Sequence, residues 1–394
     1  MTQTPYVFNQ LARSLSKDIF DRLVSKYNGD YHVKGLSCWR HLLVMIWSQL
    51  TSRRSLRSIE TSLRAHSGKL YRLGIGKMVS RNSIANANAR RDVAIYRDMA
   101  QAMMRKAMAL GSRDVELDKL TRKLSLEGFL AIDSSVVTLD LRSHPWSVPQ
   151  EGRGGVRLHT VFDLVKDAPR LCLITGHEER DQTFMADYPY EPGCLYVMDK
   201  AYMKTAGLAH VNGKGAYFIV RRKRDVLYEV VAERERAEDS PVMADRVIRF
   251  SGRWARKGYP MELRMVSFYA REKGAVMEFL TNNDNIPAET IALLYKRRWK
   301  IELFFKWVKQ HLRINSFYGT SANAVMIQIY TAYITYCMLA IAADALRYKG
   351  CLYEFFNLVS VSLTEKAWLC DLVREADGTV KETDKTVWPS LFDS

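Results

Sequence analysis

The chain has 394 residues, 47% of them hydrophobic and 11% aromatic, which is enough apolar mass for two or three packed domains and too much for a disordered chain. Lysine and arginine number 59 against 43 aspartates and glutamates, and the formal net charge of +16 points to a polyanionic partner. Nucleic acid is the first candidate and an anionic membrane surface the second. The basic excess lies in short runs, at Arg53-Arg54, Arg90-Arg91, Arg221 to Arg224 and Lys296 to Arg298, and not in one tail. The six cysteines make no C-x-x-C pair and the eight histidines no H-x-x-x-H pattern. Structural zinc is therefore not expected, and the thiols read as reduced core residues of a cytosolic protein. The N-terminus shows no basic-then-apolar signal pattern.

The first ~110 residues carry helical periodicity. Leu11, Phe20, Leu23 and Val24 form one apolar set, and residues 42–50 a second. A short helix is expected over 55–63, a turn at Gly74-Ile75-Gly76, and a longer helix over 81–99 with Ser80 as its N-cap. Arg81, Asn82, Asn86 and Arg90 alternate there with small alanines, the composition a slim helix needs to read base edges in a major groove. A plain surface helix in a bundle is the other reading. Residues 1–110 are accordingly taken as an all-helical DNA-binding region.

The pattern changes near Gly128. Residues 129–141, 156–164 and 170–176 are rich in β-branched and apolar residues, with a hairpin turn expected at 166–169. Residues 194–198 and 216–220 are short apolar runs typical of buried strands. Strands with helices between them predict an α/β fold with a mixed sheet. Alternation then continues through 226–231, 246–250, 261–269 and 276–280 without a long helical pattern, a β-rich insertion over 223–282. Pro287 opens a long helix with Glu289 in its first turn. Residues 324–343 form an uncharged stretch long enough to span a membrane. Gln328, Thr331 and Thr335 recur in it at helical spacing, which favours a helix buried within the protein. Residues 346–394 have weak signals.

Chemistry concentrates on the long helix. At about 100° per residue, Tyr295, Arg298, Glu302 and Lys309 fall within an arc of about 60°, opposite Ile301, Phe304 and Val308. A carboxylate between cations suits a phosphate-handling site, the acid holding a metal ion and the cations a nucleic-acid backbone. Taken alone, the spacing equally fits a solvated face with ordinary charge pairs. Two more acids join it. Asp133 lies within an apolar strand, and Asp199 ends another. Each is costly to bury unless paired or metal-bound, though capping the next helix would also explain Asp199. The three together fit a two-metal phosphoryl-transfer site using Mg2+, with Mn2+ as a substitute.

With these residues assembled, the chain resembles the bacterial insertion-sequence transposases of the DDE class whose signature is Tyr, two residues, Arg, three residues, Glu, six residues, Lys. Here those are Tyr295, Arg298, Glu302 and Lys309, with Asp133 and Asp199 matching the two aspartates. Many relatives follow the second aspartate with Arg-Gly-Tyr, whereas here Lys200-Ala201-Tyr202 stands, so the local phosphate contact differs. The resemblance implies a ribonuclease-H-like catalytic core in two parts, 126–222 and 283–345, around the insertion. The remaining segment, 346–394, is taken as a helical C-terminal region and, by elimination, as a source of dimer contacts. The resemblance also implies binding to the inverted repeats of an element, excision through a DNA hairpin and insertion into target DNA, by a homodimer on paired ends in the bacterial cytoplasm at the nucleoid. Asp133, Asp199 and Glu302 would hold two metal ions, and Tyr295, Arg298, Lys309 and Lys200 would grip the DNA. A flipped base needs an aromatic stack, for which Trp254 is the candidate; packing on its own hairpin strands is the other reading. A nuclease of the same fold that cuts without strand transfer is the alternative function.

Overall fold

The computed structural model describes residues 4–147, 154–178, 181–235, 240–270, 274–312, 314 and 316–376. Six helices come first: α1 Val7–Ala12, α2 Lys17–Lys26, α3 Cys38–Leu50, α4 Leu56–Ala65, α5 Arg81–Arg90 and α6 Val93–Met108. Then follow α7 Val115–Lys123, β1 Gly128–Leu139, β2 Gly154–Asp163, β3 Ala168–Gly176, α8 Asp181–Asp187, β4 Cys194–Met198, α9 Thr205–Gly213 and β5 Tyr217–Arg221. Next are β6 Tyr228–Glu233, β7 Val242–Phe250, α10 Arg253–Gly258, β8 Leu263–Ala270 and β9 Ala275–Thr281. The described chain ends with α11 Ala288–Arg297, α12 Trp299–His311, α13 Ala322–Ala345, α14 Leu352–Ser362 and α15 Leu369–Ala376. By packing it forms two compact units, Met1–Gly111 with Val137–Gly155 and Phe305–Ser394, and Ser112–Val136 with Val156–Phe304.

The first unit is built around α13, which packs against α1, α3, α5, α6 and α14. Its length and hydropathy would allow a membrane span, yet 94% of its most apolar window is buried inside the protein. The polar residues along it are satisfied there. Thr335 donates to Gln49 Oε1 at 2.6 Å, and Gln328 donates to the Ser316 carbonyl at 2.9 Å and accepts from the Tyr318 N–H at 2.9 Å. The expected helix over 81–99 is two helices. Arg91 turns to an extended ψ of 142°, and the Asp92 carboxylate caps the new start by accepting from the Ala94 N–H at 2.8 Å. Asn323 of α13 donates to the freed carbonyls of Asn88 and Arg91. Behind this joint, His41 is fully buried, its Nε2 donating to Asn88 Oδ1 at 2.9 Å and its Nδ1 accepting from the Tyr96 hydroxyl at 2.6 Å. Burial holds its pKa down to about 3, so it stays neutral. The turn expected at 74–76 is present, with Gly74 and Gly76 at φ of 77° and 81°.

The second unit is a sheet with helices. The strand order is β3-β2-β1-β4-β5-β9-β8-β7-β6. β1, β4 and β5 run parallel, and β2 with β3 forms the antiparallel hairpin turned at Asp167. The strands of the insertion do not form a sheet of their own, because β9 pairs antiparallel with β5 and extends the central one. Arg264 on β8 ties this extension to the entry of α11. It makes a bidentate pair with Asp245 on β7 at 2.9 and 2.7 Å, and donates to the Ile286 carbonyl at 2.5 Å.

Both members of that pair are 3% exposed, so removing one strands a buried charge. Asp245→Ala is expected to cost about 3–5 kcal/mol in urea unfolding, and the double replacement Asp245→Leu/Arg264→Met clearly less. A double variant as unstable as the single one would show that packing, and not charge pairing, sets the cost.

Candidate active site

Three parallel strands align the site. In their ladder Ile132 of β1 is opposite Met198 of β4, and Met198 is opposite Val220 of β5. The next residues along are Asp133, Asp199 and Arg221. Each follows a run of buried apolar residues, so the row lies where the buried strands give way to polar residues. Asp199 keeps extended backbone, with φ −72° and ψ 165°, and makes no cap bond to the short turn that follows, so the capping explanation does not apply to it.

The helix pair α11–α12 delivers the rest. The long helix expected from Pro287 tightens at Arg298, whose N–H bonds the Tyr295 carbonyl three residues back. Lys300 pins the start of α12 by donating to Asp114 Oδ2 at 2.9 Å and to the Leu164 carbonyl at 3.0 Å. Phe304 packs on Phe162 of β2, ring centroids 5.1 Å apart. Neither anchor has a motif; a lysine within an apolar helix face was the available signal.

So held, the Arg298 guanidinium stands between two acids. Nη1 donates to Asp133 Oδ2 at 3.0 Å and Nη2 to Glu302 Oε1. Its Nε is buried with no partner. Tyr295 reaches Asp199 Oδ1 by a long 3.5 Å contact, and its ring is flanked by Phe279 at 4.6 Å and by the Arg298 guanidinium at 5.7 Å. Burial pushes Asp133 up to about 6, against the pull of Arg298 and of the Ser134 N–H, with Glu302 and Asp199 adding repulsion. Burial also raises Tyr295 to about 12. Burial weakens the Arg298 cation, but Tyr295, Asp133 and Glu302 hold its pKa above the usual value.

The carboxylates of Asp133, Asp199 and Glu302 are oxygen donors only, the set a hard divalent cation takes, and Asp133 is pushed toward its protonated form mainly by burial. Among the described residues, no three His, Cys, Asp or Glu side chains already form a metal-sized cluster. Two of the three acids, Asp133 and Glu302, therefore hold a guanidinium, and Asp199 is linked to them only through Tyr295, so the site is not a closed cage. Their chemistry fits a divalent ion, with Asp133, Asp199 and Glu302 as the residues that would hold it.

The remaining expected residues are dispersed. Lys309 lies seven residues beyond Glu302 on α12 and within about 20° of it around the axis, half-buried, and burial lowers its pKa. Lys200 is exposed beside Asp199. Trp254 is on the short helix α10, 77% exposed and beneath Arg253, so it does not pack on hairpin strands. In the first unit, Arg81, Asn82, Asn86 and Arg90 are all exposed on α5, with Ile84, Ala87 and Asn88 buried behind them. Of the six cysteines, four are buried, while Cys351 is exposed and Cys370 partly so, against the expectation that all are core residues.

Asp133 yields a pH prediction. Its folded pKa of about 6 lies above the unfolded value near ~3.9, so the native state favours the protonated acid. That contribution is complete below the unfolded pKa and lost as pH rises through 6. Asp133→Asn should remove this pH dependence and stabilise the metal-free protein at pH ~8 by roughly 2–3 kcal/mol relative to wild type. Denaturant unfolding in a chelator at pH ~5 and ~8 checks it. Identical pH dependence in both proteins would contradict it.

Comparison with known proteins identifies the chemistry. Residues 125–338 match the family described as a transposase DDE domain, and residues 3–76 match one described as a domain of unknown function. The protein y4zB of Sinorhizobium fredii, designated a transposase, is 33% identical over 287 residues, covering 72% of this chain and 77% of that protein. The protein designated the transposase of insertion sequence element IS5377 in Geobacillus stearothermophilus is 28% identical over 210 residues, covering 53% and 55%. The one so designated for element IS4SA in Synechocystis is 26% identical over 305 residues, covering 75% and 80%. The chain belongs to the transposase DDE domain family: it is an insertion-sequence transposase, an enzyme that cuts and transfers DNA.

Proposed function

We propose that this transposase belongs to the hairpin-forming group with the Tyr295, Arg298, Glu302 and Lys309 signature, and that it works by Mg2+-dependent cut-and-paste on a ribonuclease-H-like core. The observation that carries this reading is the meeting of Asp133, Asp199, Tyr295, Arg298 and Glu302 at one edge of three parallel strands. The strand order β3-β2-β1-β4-β5, with its hairpin followed by two parallel strands, supports the fold assignment. Two bound Mg2+ ions would supply activation of the attacking oxygen and stabilisation of the leaving one. The chain's own part is positional. Asp133, Asp199 and Glu302 supply the oxygen donors. Arg298 neutralises two of them in the free protein, and with their charge met by a bound cation it would be free to hold a DNA phosphate. Lys309, on the same face of α12, grips a second phosphate. Trp254, exposed on α10, offers a ring face to a flipped base. The α5 face of Arg81, Asn82, Asn86 and Arg90 reads the terminal inverted repeat. The working form is a homodimer on paired ends, at the nucleoid.

These roles separate by reaction step. Glu302→Ala should abolish the first nick while leaving DNA binding intact, because binding rests on the basic surface. Arg298→Ala and Lys309→Ala should still nick, but lose about tenfold to a hundredfold at the hairpin step, where the strand bends sharply, as expected for one charge-assisted contact. Trp254→Ala should fail at the hairpin step alone. A gel resolving nicked, hairpin, excised and inserted products reads all four variants. Wild-type product levels from Arg298→Ala and Lys309→Ala would remove the phosphate-gripping role. Cleavage by the wild type with no insertion product would favour a nuclease.

A further inference from the structure

The catalytic row does not end at the acids. Its third member is Arg221, at the end of β5, because Val220 pairs with Met198. Beyond it the chain opens a cavity of about 440 Å³ lined by Lys200, Arg221, Arg222, Lys223, Arg224 and Asp225. Five of these six are cations, and one is committed to the fold. Arg222 donates to Glu278 Oε2 at 2.7 Å and to the Val226 carbonyl at 3.0 Å, and lies over the Tyr228 ring. Lys200, Arg221, Lys223 and Arg224 make no ion pair among the described residues, and the single acid, Asp225, is exposed. The Arg221 charge also acts on the Tyr295 phenol, which touches Asp199. Four uncommitted cations packed around one cavity repel one another, so the arrangement suits an anion that enters it. Two of the residues that line it, Lys200 and Arg221, adjoin Asp199, one in sequence and one in the sheet row, so an anion held there lies beside that acid.

We propose that this cavity is a phosphodiester subsite for the linkage that flanks the reacting one. Arg221 is its positioning residue, and Lys200, Lys223 and Arg224 hold the strand beyond. The inference rests on the reading of Asp133, Asp199 and Glu302 as the cutting site. Arg221 acts by fixing the strand and takes no part in bond making.

The test uses the full chain and a duplex spanning one end of the element that encodes it, with single methylphosphonate linkages placed one at a time around the cut. Wild type should lose about tenfold in single-turnover cleavage at one linkage adjacent to the cut, where a charged contact has been neutralised. Arg221→Gln should show the same loss on unmodified DNA and no further loss at that linkage, and Arg221→Lys should recover part of the rate. Arg224→Gln, an exposed change that leaves the strand intact, should flatten the salt dependence of binding by about one unit of slope. A wild type that cuts, with Arg221→Gln still losing the full factor at every neutral linkage, overturns the subsite alone. A wild type that cuts no DNA overturns the cutting-site reading, and the subsite falls with it.

Discussion

Three parallel strands in one register are the constraint on which the site depends. β1, β4 and β5 are distant in sequence, yet Ile132, Met198 and Val220 lie side by side in the sheet. All three are fully buried, so slipping any one strand by a residue would bury a charge and expose an apolar side chain. The hydrophobic core that fixes the register therefore also fixes the row of Asp133, Asp199 and Arg221 one step beyond it. Ligands of open α/β sheets gather at the carboxyl ends of parallel strands, and here the row supplies two acids and a cation one step beyond the last parallel pairs.

Glu302 cannot join the row through the sheet, so the fold brings it on a helix. The Arg264–Asp245 pair fixes the loop entering α11, and Lys300 and Phe304 fix α12 against the strands. Between these anchors Arg298 carries the electrostatic load of the free protein. Its two nitrogens answer Asp133 and Glu302, and even so burial keeps Asp133 near 6. Burial and the neighbouring acids oppose the charged form of Asp133, so a cation bound beside it would favour that form.

Much of the architecture was legible in the chain. Asp133 shows as a charge within an apolar strand and Asp199 as the charge that follows another, and Arg221 ends a third apolar run, but only as part of a basic cluster. What spacing could not supply was the register between distant strands, which is set by packing across the sheet. For the same reason the pairing of β9 with β5, and hence the continuity of the insertion with the central sheet, was hidden. Helix breaks were hidden differently. The periodicity over 81–99 continues through Arg91, and only the capping chemistry of Asp92 ends the helix there. The stripe on the signature helix was readable from periodicity, but not that Arg298 would face Asp133, a residue 165 positions away. For α13, buried glutamine and threonines in an apolar run indicated a protein interior, and each of them has a protein partner there.

On the reading proposed above, Asp133, Asp199 and Glu302 serve one cation-binding centre. Local oxidative cleavage tests it directly, with Fe2+ in place of the native divalent ion and ascorbate and peroxide generating radicals where it binds. Backbone cuts should cluster near residues 133, 199 and 302, be suppressed together by excess Mg2+ and be lost together in Asp199→Ala. Cuts at one of these segments alone, or persistence of all three in Asp199→Ala, would contradict it.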